Sequence, residues 1–162
     1  MTGLCVLGVD PGLNGAFALI GNGKLIDASD IPAIGAPPNR RLDGGHFADL
    51  LRSLGGINVA YIEKVSAMPK QGVSSTFKFG YAAGQIIGVI EALKIPVEWV
   101  TPTLWKKDLR LSSDKEQSRA RALELWPDRA DLFRRKMDHG RAEAALIALY
   151  GFRHAPVERE AA

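Results

Sequence analysis

Two carboxylates stand at the ends of apolar runs. In VLGVDPGLNGAFALI, Leu4, Val6 and Gly8 fall on the same side as Asp10 if the segment is a strand. In residues 57–63, Ile57, Val59 and Tyr61 likewise share a side with Glu63. If the two strands are parallel neighbours, both carboxylates reach the sheet end where open α/β sheets place their ligands. Like charges held that close repel unless a cation or a proton intervenes. A third set of ligand types opens the segment KMDHGRAEAALIALYG: Asp138, His139 and Glu143. His139 and Glu143 are four apart and share a helix face, while Asp138 lies about 140° from Glu143 and reaches the same place only from the helix start. There is one cysteine, Cys5, and three scattered histidines, so the hard oxygen donors point to Mg²⁺ or Mn²⁺ rather than zinc. Each acid also has a plain reading: an Asp before Pro-Gly makes a turn, Glu63 closes a strand at the surface, and acids favour helix starts through the macrodipole.

The elements that must position these groups follow from pattern. Residues 4–9, 16–20 and 24–31 read as three strands joined by turn residues, an antiparallel meander. Residues 32–39 hold three prolines and a glycine and read as a loop. Phe47, Leu50, Leu51 and Leu54 mark a helix over 45–54 that Gly55-Gly56 stops. After the strand at 57–63, a long helix capped by Ser74 or Ser75 runs to Leu93, with a stripe of Ala82, Ile86, Val89, Ile90 and Leu93. A short strand covers 97–100, a short helix 103–108, and a helix over 113–125 starts with Ser113 and Glu116 as a capping box. The last helix spans 138–150 and is closed by Gly151. The order predicts one α/β domain over residues 1–152 with a five-stranded mixed sheet and helices on both faces, followed by a disordered charged tail over 153–162.

Composition bounds the function. A hydrophobic content of 46% supports a buried core, the single cysteine excludes a disulfide framework, and Cys5 fits a small core position. The apolar runs fall short of the roughly 20 residues of a membrane span, and no leader-like segment opens the sequence, so the expected location is cytoplasmic, with no membrane partner. The net charge of +3 is local: residues 104–136 hold ten Lys or Arg against six acids. Such a patch suits a polyanion, or simply a solvated pair of helices. On the long helix Gly80, Gly84 and Gly88 recur every fourth residue, each costing about 1 kcal/mol of helix propensity relative to Ala. Close packing on the sheet or on a partner copy would offset that cost.

The motifs GVDPGLNGA, AYIEKV, GVSSTFKFGYAAGQIIGVIEAL, WKKDLRLSSDKEQSRARALELWP and DHGRAEAALIALYG, in that order, resemble the RuvC-like Holliday junction resolvases of the RNase H-like superfamily, and especially their compact phage-type members. The resemblance implies an RNase H-like fold, a homodimer, and a Mg²⁺-dependent (or Mn²⁺-dependent) endodeoxyribonuclease that nicks four-way DNA junctions at symmetric positions, with two ions per active site and no nucleotide cofactor. Asp10, Glu63 and Glu143 match family acids. The fourth lies three residues before the last acid in many members, and that position is Gly140 here, so Asp138, with His139 next, is expected in its place. For such a nuclease the basic and polar side chains predict DNA contacts by Lys106, Lys107, Lys115, Arg119 and Arg141, and by Lys70, Gln71, Ser75 and Lys78 around the loop after Glu63. The resemblance adds a side chain entering the junction centre, from Met68 or Phe77, and favours a dimer interface along Gly80, Gly84 and Gly88. A noncatalytic junction binder, or an RNase H-like nuclease for flap DNA or RNA, would share much of this pattern. The sugar-kinase type of ATPase shares the strand, Asp and hairpin opening, but needs two such domains.

Overall fold

The computed structural model describes residues 3–66 and 72–156. Met68, Lys70 and Gln71, and most of the expected tail, lie outside the described residues. The chain opens with the meander: β1 (Cys5–Asp10), β2 (Ala16–Gly21) and β3 (Lys24–Asp30) pair antiparallel in sequence order. Asn22 and Gly23 form the two-residue hairpin between β2 and β3, both at positive φ, the backbone that an Asn-Gly pair adopts most readily. The proline-rich stretch is more ordered than its composition suggests. Within it β4 (Ala33–Ile34) pairs with β5 (Arg41–Leu42), because Leu42 is drawn into the core and Asp43 N–H donates to the Pro32 carbonyl.

Asp43 then caps α1 (Gly44–Leu54) by accepting from His46 N–H, and Phe47 and Leu51 are buried beneath it. β6 (Val59–Glu63) runs parallel to β1, and β7 (Val97–Val100) runs parallel to β6, so the five-stranded order is β3-β2-β1-β6-β7. Between them α2 (Val73–Ala92) starts at Gly72 with no side-chain cap; Ser74 and Ser75 lie inside its first turn rather than at its boundary. Thr101 caps α3 (Pro102–Asp108). Asp114, one residue after the expected Ser113, caps α4 (Lys115–Leu125) through Glu116 N–H. Two 3-10 turns, Pro127–Phe133 and Lys136–Asp138, lead into α5 (His139–His154). That helix continues past Gly151 to His154, so the domain boundary expected at residue 152 falls inside a helix.

The sheet divides two cores, as expected of helices on both faces. Leu7, Val9, Phe17, Leu19 and Ile62 pack against Phe47 and Leu51 of α1 and against Ala82, Ile86 and Ile90 of α2. Val6, Ala18, Ile20 and Tyr61 face α5, with Trp105 of α3 and Ala122 of α4 closing the side. Every residue of α5 from Ala142 to Ala148 is buried, and four of those seven are alanine, which allows a close approach of helix to sheet.

Candidate metal centre

β1 and β6 run the same way, and their register sets Val9 against Ile62, so Asp10 and Glu63 end neighbouring strands at the same edge. α5 crosses over that edge. A Cβ placed on Gly140 would sit 3.5 Å from Asp10 Oδ2, which puts the first turn of the helix against the Asp10 carboxylate. Glu143, one turn further on and buried, completes a set of three acids. Their mutual field is strong. Burial, then Glu143 and Glu63, push Asp10 up to about 8, against the opposing pull of Lys115 and Lys106. Glu63 is also raised, by burial first and by Glu143, although a hydrogen bond from Trp105 acts the other way.

Two of the three acids are held in place by neighbouring helices. Trp105 Nε1–H donates to Glu63 Oε2 at 2.7 Å. Lys106 Nζ donates to Glu143 Oε1 at 3.1 Å, and Ser118 Oγ donates to the same oxygen at 3.3 Å. Thr101 and Pro102 start α3 directly after β7, and this is what brings the consecutive Trp105 and Lys106 to two different carboxylates. Sequence reasoning missed Trp105 and Ser118, and read Lys106 only as part of a basic stretch. Their roles depend on pairings 42, 25 and 37 residues apart, for which no local spacing gives a signal.

Asp138 is not brought into this set. Its Oδ2 accepts from Arg135 N–H at 2.7 Å, and its Oδ1 accepts from Arg135 Nε and Nη2 at 2.9 and 2.7 Å, with the side chain 1% exposed. Burial pushes its pKa up, but the Arg135 hydrogen bonds outweigh it and hold the group below the usual carboxylate range. The residue thus closes the turn before α5. His139 is half-buried, with Nδ1 3.4 Å from the Lys136 carbonyl. The expected nucleic-acid contacts separate into two groups. Arg141 forms a two-pronged pair with Asp30 at 2.8 and 2.7 Å, and Arg119 is engaged by Glu116 and by the Phe133 and Arg134 carbonyls. Ser75, Phe77, Lys78, Lys107 and Lys115 are exposed. Gly80, Gly84 and Gly88 are exposed too, and an added Cβ would meet nothing within 4 Å, so these glycines do not serve packing on the sheet.

The three acids fit a hard divalent cation: they are oxygen donors, they repel one another, and Glu63 Oε1 and Glu143 Oε2 have no protein donor among the described residues. As the side chains lie, no three acidic, histidine or cysteine groups among the described residues stand at metal-holding distances. Glu143 is turned to Lys106 and Glu63 to Trp105.

No protein-family model matches the chain. The Holliday junction resolvase MOC1, chloroplastic, of Chlamydomonas reinhardtii is 30% identical over 92 residues, which is 56% of this chain and 10% of that protein. The chain therefore spans about a tenth of the length of this curated relative. Among solved structures, T. thermophilus RuvC in complex with a Holliday junction substrate superposes with a TM-score of 0.65 at 17% identity, covering 94% of this chain and 97% of that one. Thermus thermophilus RuvC gives 0.61 at 16%, over 93% and 96% of the two chains. The yeast mitochondrial Holliday junction resolvase Ydc2 gives 0.53 at 14%, over 89% and 77%. The five-stranded mixed sheet with helices on both faces is the RNase H-like fold of RuvC.

Proposed function

We propose that the chain is a metal-dependent endonuclease that resolves four-way DNA junctions. The observation that carries the reading is the convergence of Asp10, Glu63 and Glu143 at one sheet edge, beside the lysines of α3 and α4, on a fold shared with RuvC. Similarity to proteins known as Holliday junction resolvases supports the same substrate class. Asp10, Glu63 and Glu143 would hold Mg²⁺ or Mn²⁺, as one or two ions. Bound there, the metal would activate a water and stabilise the leaving oxygen of a phosphodiester. The chain's own part is to hold three carboxylates together in a partly buried place, with Trp105 fixing the orientation of Glu63 and Ser118 that of Glu143. Lys107 and Lys115, both exposed, would meet backbone phosphates, and binding should weaken steeply as salt rises.

The test is strand cleavage of a labelled four-way junction beside a linear duplex of the same sequence, with Mg²⁺ and with EDTA. Paired nicks on the junction alone, absent in EDTA, are expected. Tight junction binding without nicks in either Mg²⁺ or Mn²⁺ would identify a noncatalytic binder. Equal cutting of duplex, flap or RNA would point to a different nuclease.

Symmetric nicking calls for two copies. The open glycine row of α2, flanked by Val73, Phe77 and Tyr81 at 88%, 73% and 60% exposure, supports a homodimer through that helix, and Phe77 as the side chain that meets the junction centre. Gly84→Arg is expected to convert dimer to monomer in light scattering at micromolar concentration, and to replace paired nicks with single ones. A variant that stays dimeric would place the interface elsewhere.

A further inference from the structure

We infer that Lys106 is the resident counter-cation of this centre: in the metal-free chain its ammonium occupies Glu143, and a divalent ion binds there by displacing it. The inference rests on the reading of the three acids as a metal site, and adds to it the group with which the metal competes.

Glu143 is buried, so its charge has little water and must be compensated within the protein. The compensation comes from Lys106, at 3.1 Å, with the two side chains 16% and 8% exposed. This is not an incidental pairing along one helix. Lys106 lies on α3 and Glu143 on α5, and buried Ser118 of α4 donates to the same oxygen, so three helices meet at one carboxylate. The ammonium also lies 5.0 Å from the ring centre of Trp105, the residue whose indole holds Glu63. With Glu143 committed in this way, no three acidic, histidine or cysteine groups among the described residues stand at metal-holding distances. To reach an ion at Asp10 and Glu63 the Glu143 carboxylate must turn from where Lys106 and Ser118 hold its Oε1, and an ion taking the donor-free Oε2 meets the ammonium's charge beside it.

The displaced ammonium has somewhere to go. Lys106 lines an open cleft of about 400 Å³ together with Thr103, Lys107, Ser112 and Ser113. Its hydroxyls and water can solvate a released ammonium, and a DNA phosphate entering the cleft would find two lysines rather than one. Metal arrival is thereby coupled to the availability of a phosphate-binding cation. In this role Lys106 is a positioning residue for Glu143 in the metal-free chain.

The experiment uses the DNA-free chain and Mn²⁺. Calorimetric titration compares wild type with Lys106→Met, Lys115→Met and Asp10→Asn. Lys106→Met is expected to bind Mn²⁺ about tenfold tighter than wild type, because the competing charge is gone. Lys115→Met, which removes a lysine that acts on Asp10 and Glu63 only through space, should gain less than about threefold. A second measurement needs no variant: an amine-acetylating reagent with peptide mass spectrometry should label Lys106 slowly without metal and severalfold faster with saturating Mn²⁺, while Lys107 reacts equally in both. Unchanged or weaker binding by Lys106→Met, or labelling of Lys106 that Mn²⁺ does not alter, would overturn the inference. If wild type still binds Mn²⁺ in an Asp10-dependent way, the metal reading survives that failure. Absence of Asp10-dependent binding overturns both.

Discussion

Asp10→Asn is expected to abolish junction cleavage while making the metal-free chain more stable. The two effects have one cause. Asp10 ends the central strand of the sheet with Glu63 on the neighbouring strand and Glu143 above it. Loss of a direct ligand should lower cleavage by at least about a hundredfold, the upper range for groups that merely support a ligand. Stability follows from linkage. The folded pKa of Asp10 is about 8 against an ordinary 3.8, so the stability tied to this one group is fully present below about pH 4 and is lost progressively as pH rises through about 8. Asparagine carries no such penalty. In EDTA the melting temperature of Asp10→Asn should match wild type at pH 4, pull ahead as pH rises, and lead by about 5 °C or more above pH 8. Mg²⁺ should raise the wild type and narrow the gap, because the ion supplies the charge that the crowded acids lack. Melts from pH 4 to 9 with and without Mg²⁺ decide it. A gap that does not widen with pH would mean that the three acids are not crowded.

How much of this was legible in the sequence differs from residue to residue. Asp10 and Glu63 could be read because each closes an alternating apolar run, and the α/β order made parallel neighbours of the two strands. Glu143 could be placed because its helix begins with ligand types and continues as an apolar body. Asp138 shows the limit. Spacing gives the angle at which a side chain leaves a helix, but not which donor reaches it first, and here Arg135, three residues earlier, takes both oxygens. Gly140 sits where many members of the resembled family have an acid, and the space beside Asp10 is indeed open at that point. Trp105 and Ser118 were invisible because they act across folded distances. The ribbon of β4 and β5 was hidden by proline content, which reports backbone restriction but not the pull of a buried Leu42. The glycine row admits packing on the sheet or on a partner copy, and the fold removes the first of these.

Gly8→Ala should cost about 3 kcal/mol or more, an effect at the top of the range for one added methyl, and should lower the melting temperature by about 10 °C. Gly8 lies two residues before Asp10 on β1, opposite Ala18 of β2 and Tyr61 of β6, on the face that α5 covers. A Cβ at this position would stand 2.2 Å from the Ala144 carbonyl oxygen, 2.3 Å from Ala148 N and 2.8 Å from Ala148 Cα. These are backbone atoms, so no rotamer change can relieve the overlap; the helix must lift or the strand must bend. Because Glu143 precedes Ala144, the same displacement carries it away from Asp10. The variant should therefore bind Mn²⁺ more weakly even in the fraction that remains folded. Gly140→Ala is the contrasting case. Its Cβ would meet Asp10 Oδ2 at 3.5 Å and Asn14 O at 3.6 Å, ordinary contacts, and alanine favours a helix over glycine by about 1 kcal/mol. Urea melts of the two variants should differ by several kcal/mol although each adds one methyl group to the same side of the sheet. Equal melts would mean that the approach of α5 to β1 is looser than described, and that something other than backbone packing sets the distance between Asp10 and Glu143.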